Sequence, residues 1–257
     1  MTPVLAITDL SKSFGGVHAL RSATLKIRAE GITSVIGPNG AGKSTLLNVV
    51  SGYATPTAGT VELDGARISG LPPWKLCRIG LARSYQNLQM FPDMPAWEVI
   101  ATGMYRHQSV GVLADLFCLP SSRAEQSAAE RASREMLAYL GIGETYWTRR
   151  AGDLAYGLQR KLEIGRALAT RPRILLLDEP AAGLATAETR ALGELLQNIA
   201  ASGIGIVLVE HDLDLVMSIS DGIYVMDAGT VIAHGDAETI KRDPRVIAAY
   251  LGDGGHA

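Results

Sequence analysis

The chain has 257 residues, 47% of them hydrophobic, enough to fill a sizeable core in one domain or in one domain with an inserted lobe. Its 24 Lys and Arg against 26 Asp and Glu leave a formal charge of −2, which removes the long-range electrostatic case for nucleic acid or anionic lipid as the main partner. Cys77 and Cys118 show no metal-ligand spacing, which suits a reducing compartment and excludes a disulfide framework or a zinc site. The N-terminus carries no basic leader with an apolar stretch behind it, and no apolar run approaches the ~18 residues of a spanning helix, so the chain is expected to be soluble.

In chain order, Val4–Ile7 and Ala23–Ile27 read as strands, with Phe14-Gly15-Gly16 as the turn of an antiparallel hairpin region. Thr33–Ile36 is a short β-rich run that meets a glycine loop and then a helix, Ser44–Val50, the opening of an α/β core. A further strand is expected at Thr60–Leu63, with a turn at Asp64-Gly65. From about Pro72 to Gly152 the character becomes helical, punctuated by Pro92 and Pro95, with Arg123–Leu140 at helical spacing. The α/β rhythm then returns: helix Gln159–Ala169, strand Ile174–Leu177, helix Thr186–Ala201, strand Gly205–Val209, helix Leu213–Ile219, and strands near Ile223–Met226 and Val231–Ala233. The expected organisation is a parallel-sheet core interrupted by a helical insertion, and the Gly-rich end of the chain reads as a frayed terminus.

Gly37-Pro38-Asn39-Gly40-Ala41-Gly42-Lys43-Ser44 fits GxxxxGK[ST] between a predicted strand and a predicted helix, the context that motif requires. Glycines let successive backbone N–H groups curl around phosphate oxygens, and the helix N-terminus adds a favourable dipole. Lys43 is then expected to reach the β- and γ-phosphates, the Ser44 hydroxyl to ligate Mg²⁺, and Thr45 to complete the nucleotide-binding run. Ile174–Leu177 runs into Asp178-Glu179-Pro180; a continuous apolar run suits a central parallel strand, whose carboxyl end is where ligands sit in open α/β sheets. Asp178 is accordingly a candidate Mg²⁺ ligand through water, and Glu179 a candidate to orient and polarise an attacking water.

With these residues in order, the sequence resembles the ABC (ATP-binding cassette) ATPase family over essentially its whole length. Leu154-Ala155-Tyr156-Gly157-Leu158-Gln159-Arg160 stands where that family has its LSGGQ signature, ahead of the acidic strand. The resemblance implies a P-loop NTPase (RecA-like) core with an N-terminal antiparallel β subdomain. Residues 1–257 would form a single ABC ATPase domain, with 1–85 and 153–257 as the core and 86–152 as an inserted α-helical subdomain. It implies ATP and Mg²⁺ as ligands, and head-to-tail pairing in which Ala155, Tyr156 and Gly157 act on the ATP held by the partner. Gln86 resembles the Q-loop residue that contacts Mg²⁺ and water, His211 the switch histidine at the γ-phosphate, and Phe14 the aromatic that stacks on adenine.

Lys161–Ile164 after the signature, Glu179–Leu184, and the ending Val246–Gly252 look like the ATP-binding subunits of branched-chain amino acid importers. The partners so implied are a second ATP-binding subunit, either a different chain or a second copy, membrane permease subunits docked near Pro92–Trp97, and indirectly a binding protein. The implied location is peripheral, on the cytoplasmic face of the membrane. The alternatives are a lipopolysaccharide or lipid export ATPase and a non-transport ABC ATPase. Leu158 and Ala185 depart from the family pattern at contacts expected across the dimer, which points to unequal composite sites.

Overall fold

Strands β1 (Leu5–Phe14) and β2 (Val17–Ile27) pair antiparallel across Gly15-Gly16. Leu5, Ile7 and Leu10 of β1 and Ala23, Leu25 and Ile27 of β2 are buried, the alternation that one wet and one dry sheet face demands. β3 (Ile32–Ile36) leaves this pair and leads into α1 (Lys43–Val50). The chain then returns as β4 (Ala58–Leu63) and β5 (Ala66–Arg67). Asp64 and Gly65 join them with φ of 53° and 77°, the doubly left-handed pair that a tight hairpin turn requires. The small sheet has the order β2-β1-β4-β5.

The larger sheet is completed by β6 (Leu81–Arg83), β7 (Ile174–Asp178), β8 (Gly205–Val209), β9 (Gly222–Asp227) and β10 (Thr230–Gly235), in the order β10-β9-β3-β8-β7-β6. β9, β3, β8, β7 and β6 are parallel, and β10 alone runs antiparallel to its neighbour. Every residue of β7 and β8 is buried, so their uninterrupted Ile, Leu and Val runs are what two covered faces select.

The computed structural model describes residues 4–84, 91–105 and 120–252. It divides into two compact units, one of Met1–Arg83 with Arg173–Ala257 and one of Ser84–Pro172. The first holds both sheets, α1, α2 (Pro73–Arg78), α6 (Thr186–Ala201), α7 (Leu213–Ile219), α8 (Ala237–Arg242) and α9 (Pro244–Gly252). The second is helical, with α3 (Ala96–Met104), α4 (Pro120–Tyr139) and α5 (Tyr156–Ala169).

The sequence reading puts 1–85 and 153–257 in the core and 86–152 in the helical subdomain, whereas the compact units divide after Arg83 and after Pro172. Pro73–Arg78 and β6 belong to the sheet unit, since Leu81, Ala82 and Arg83 pair with Ile174, Leu175 and Leu176 of β7. At the other end the helical unit ends at Pro172 rather than Gly152, because α5 packs on α3. Gly103 and Gly165 permit that close approach: a Cβ at Gly103 would stand 2.2 Å from the Arg166 carbonyl oxygen, and one at Gly165 would stand 2.7 Å from Ile100 Cδ1.

The Gly103→Ala variant must therefore separate α3 from α5. We expect it to destabilise the helical unit by about 1–3 kcal/mol, the usual cost of overpacking, read as a lowered midpoint in chemical denaturation. An unchanged midpoint would contradict this packing.

Candidate functional site

The loop after β3 is shaped by glycines where side chains cannot fit. Gly37 has φ 152° and a Cβ there would lie 2.1 Å from the Met226 carbonyl oxygen; Gly42 has φ 99° and a Cβ would lie 2.6 Å from that of Ala19. At Gly40, φ 79°, a Cβ would meet no heavy atom within 4 Å, so conformation alone requires glycine and the face stays open. Gly42 is the N-cap of α1 and offers no side-chain cap, which leaves the helix N–H groups for an anion.

Lys43 begins α1 and is only 8% exposed. Its Nζ donates to the Gly37 and Pro38 carbonyl oxygens at 2.7 and 2.9 Å, folding the ammonium back over the loop. Burial lowers its pKa, and the charges of Glu179 and Asp178 oppose that shift. Ser44 is exposed and Thr45 half-buried. A pocket of ≈ 200 Å³ is lined by the loop from Asn39 to Thr45, by Ala19, and by Glu179. Ala19 was invisible to sequence reasoning because nothing in its letters marks it. Phe14 lies at the tip of the β1–β2 hairpin, 53% exposed, with the Lys12 ammonium 4.7 Å above its ring, and it is not among the residues lining this pocket.

The carboxyl end of β7 carries Asp178, 3% exposed. Its Oδ2 accepts from Arg83 Nη2 at 2.8 Å, while Oδ1 is buried with no hydrogen-bond partner among the described residues. Glu179 sits in the left-handed region at φ 48°, and its N–H donates to the Val209 carbonyl at 2.8 Å. At the end of β8, His211 is exposed, with Nδ1 4.0 Å from Glu179 Oε2 and 3.8 Å from Glu210 Oε2.

Glu210 is a functional-region residue that sequence reasoning missed, although its place between β8 and His211 is a readable signal. It is fully buried, accepts from Ala181 N–H at 2.7 Å through Oε1 and from His211 N–H at 3.1 Å through Oε2, and so ties the loop after Glu179 to the histidine. Desolvation raises its pKa, and those backbone donors oppose the rise.

The candidate signature lies in the other unit. Ala155 is the N-cap of α5 and supplies no side-chain acceptor; Tyr156 is 42% exposed, with the Arg160 guanidinium 5.2 Å from its ring centroid, and Gly157 is half-buried. Gln159 Nε2 donates to the Gly152 and Leu154 carbonyls at 3.2 and 2.8 Å, fastening the loop that precedes the helix. Leu158 is half-buried. Ala185 caps α6 in the sheet unit, where its N–H donates to the Glu188 carboxylate at 3.0 Å. Gln86 lies outside the described residues.

A glycine loop after β3 and an acidic pair after β7 of a parallel sheet define an α/β protein of the P-loop NTPase class. Residues 20–182 match the family described as ABC transporter, and the chain belongs to that family. Residues 230–256 match a second family description, branched-chain amino acid ATP-binding cassette transporter. The chain is 43% identical over 252 residues to the high-affinity branched-chain amino acid transport ATP-binding protein BraF of Pseudomonas aeruginosa, covering 98% of each chain. It is 41% identical, with the same coverage, to the corresponding protein LivG of Escherichia coli K12. Among solved structures, an ATP-binding cassette of an ABC transporter in its ADP conformation aligns at 31% identity and TM-score 0.85, over 98% of this chain and 100% of that one. A nucleotide-free cassette aligns at 31% identity and TM-score 0.83, over 96% and 98%.

Because burial raises Glu210 above its ordinary value of 4.5, the folded chain holds that proton more tightly than the unfolded one. Its contribution to stability therefore falls as pH climbs from about 4.5 through the folded pKa. Glu210→Gln should flatten this part of a stability-versus-pH curve measured by denaturant unfolding; parallel curves for the two proteins would contradict the assignment.

Proposed function

We propose that the chain is the ATP-binding and ATP-hydrolysing subunit of an importer of branched-chain amino acids. The observation that carries this reading is the likeness to BraF and LivG, which runs the length of the chain and includes the C-terminal segment 230–256. No described helix is long and apolar enough to cross a membrane, so in this reading the transport path belongs to permease subunits. The subunit works on their cytoplasmic face, paired with a second ATP-binding subunit and served indirectly by a binding protein.

In the first unit, residues 37–45 hold the phosphates: backbone N–H groups at the α1 start donate to phosphate oxygens, and Lys43 exchanges its loop carbonyls for β- and γ-phosphate oxygens. Phe14, on the β1–β2 hairpin of the same unit, is the aromatic proposed to stack on adenine, and Ala19 lines the pocket beside the loop. The residues also fit a magnesium ion. Asp178 Oδ1 is a buried carboxylate oxygen lacking a partner among the described residues, and the Ser44 hydroxyl is exposed in the same unit; Gln86, which the family resemblance adds to this set, lies outside the described residues. Bound there, magnesium would offset phosphate charge and orient the terminal phosphoryl group. Glu179 orients and polarises the attacking water, and His211 beside it contacts the γ-phosphate. Ala155, Tyr156 and Gly157 at the α5 start close over the ATP of the paired subunit, so ATP favours a closed pair and hydrolysis releases it. Leu158 and Ala185 weaken that closure, leaving the composite site that receives this signature the slower of the two.

Lys43→Ala should abolish ATP binding or turnover by the assembled complex, and with it uptake of labelled leucine into vesicles. Glu179→Gln should retain ATP binding, accumulate the closed pair, and lower turnover by about 10²–10⁴-fold, the range for loss of a general base. Normal turnover in either variant would refute the site; ATPase activity stimulated by a different class of solute would refute the substrate.

A further inference from the structure

The geometry points to Arg83 as a positioning residue for the magnesium-binding carboxylate: its guanidinium brackets Asp178 to the helix that carries Ser44. This rests on reading the loop and Asp178 as the magnesium–nucleotide site.

Arg83 ends β6, the edge strand beside β7, in register with Leu176. One arm of its fork, Nη2, donates to Asp178 Oδ2 at 2.8 Å. The other, Nη1, donates to Asn48 Oδ1 at 2.8 Å and Ser51 Oγ at 2.7 Å. Asn48 follows Ser44 by one helical turn, so the two project from the same face of α1. Ser51 is itself fixed, its hydroxyl donating to the Leu47 carbonyl at 2.6 Å. The guanidinium also lies 5.8 Å from the Tyr53 ring centroid.

Three consequences follow from chemistry. The Arg83 and Asp178 side chains are 8% and 5% exposed, so water screens their attraction poorly and the carboxylate is held in place. With Oδ2 committed to Arg83, Oδ1 is the oxygen left over, and it is the one that has no partner among the described residues. Finally, a planar fork can hold Asp178 and Asn48 at once, a task that a lysine ammonium on a flexible stem performs less well. Arg83 thereby sets both which oxygen of Asp178 meets a metal and how far that oxygen stands from the Ser44 face. Outer groups that orient a metal ligand matter nearly as much as the ligand itself.

The test uses the full chain carrying Glu179→Gln, so that bound ATP is not consumed, with a fluorescent ATP analogue as probe. Magnesium is titrated at fixed nucleotide, and binding is repeated in EDTA. Adding Arg83→Lys should raise the magnesium concentration for half-saturation about 10-fold, in line with other groups that support metal ligands, and leave binding in EDTA unchanged. Without Glu179→Gln, the same substitution should lower kcat at fixed magnesium, recover with excess magnesium, and leave the nucleotide KM little altered. Asn48→Ala keeps the Arg83–Asp178 pair and the bond to Ser51 but removes the tie to the Ser44 face of α1, and should move the magnesium midpoint in the same direction. A cooperatively melting Arg83→Lys protein with the parental midpoint overturns the inference. If that protein does not fold, a parental midpoint in Asn48→Ala overturns it. Absence of any magnesium-dependent binding in the parent would instead overturn the nucleotide reading itself.

Discussion

Parallel pairing of β3, β8, β7 and β6 is the constraint on which the site depends. Because the four strands run the same way, their carboxyl ends open on one edge of the sheet. The loop before Lys43, Arg83, the Asp178-Glu179 pair and the Glu210-His211 pair each follow or end one of those strands, so residues far apart in the chain converge without any of them needing to be near in sequence. Buried β7 and β8, apolar up to Asp178, hold the register. A one-residue slip would turn the acidic side chains to the other face.

The electrostatics of that edge are balanced by pairs. Two adjacent carboxylates at a buried strand end repel, and Asp178 is offset by Arg83 while Lys43 lies near enough to both carboxylates for their charges to oppose its desolvation. Glu210, buried without a cationic partner of that quality, is stabilised instead by the backbone N–H groups of Ala181, His211 and Asp212 and keeps a raised pKa. The turn at Glu179 adds strain: a non-glycine residue at φ 48° is uncommon and costs of order 1–3 kcal/mol, held here by the hydrogen bond to Val209.

Much of this was legible in the sequence where periodicity or glycine chemistry carried it. Helices Thr186–Ala201 and Leu213–Ile219 and strand Gly205–Val209 lie where the pattern places them, since long apolar periods and bounded β-branched runs leave few alternatives. β6 was not legible: three residues are too few to show a period, and its place is fixed by pairing with β7. α8 and α9 were also missed, though Asp236 accepting from Thr239 N–H and Pro244 at a helix start are recognisable initiators. The glycine loop, Asp178 and Glu179 carried their own chemistry in their letters. Ala19 and Arg83 did not, because their roles come from strand order and burial, which no local pattern encodes.

The amides after Ile36, with Lys43, Ser44 and Asp178, must grip a magnesium-bound triphosphate if the chain works as proposed. Calorimetric titration of the purified full chain with ATP, in magnesium and again in EDTA, tests this most directly. Saturable binding at one site per chain, tightening with magnesium, is the expected result. Heats that never saturate, or binding indifferent to the metal, would contradict it.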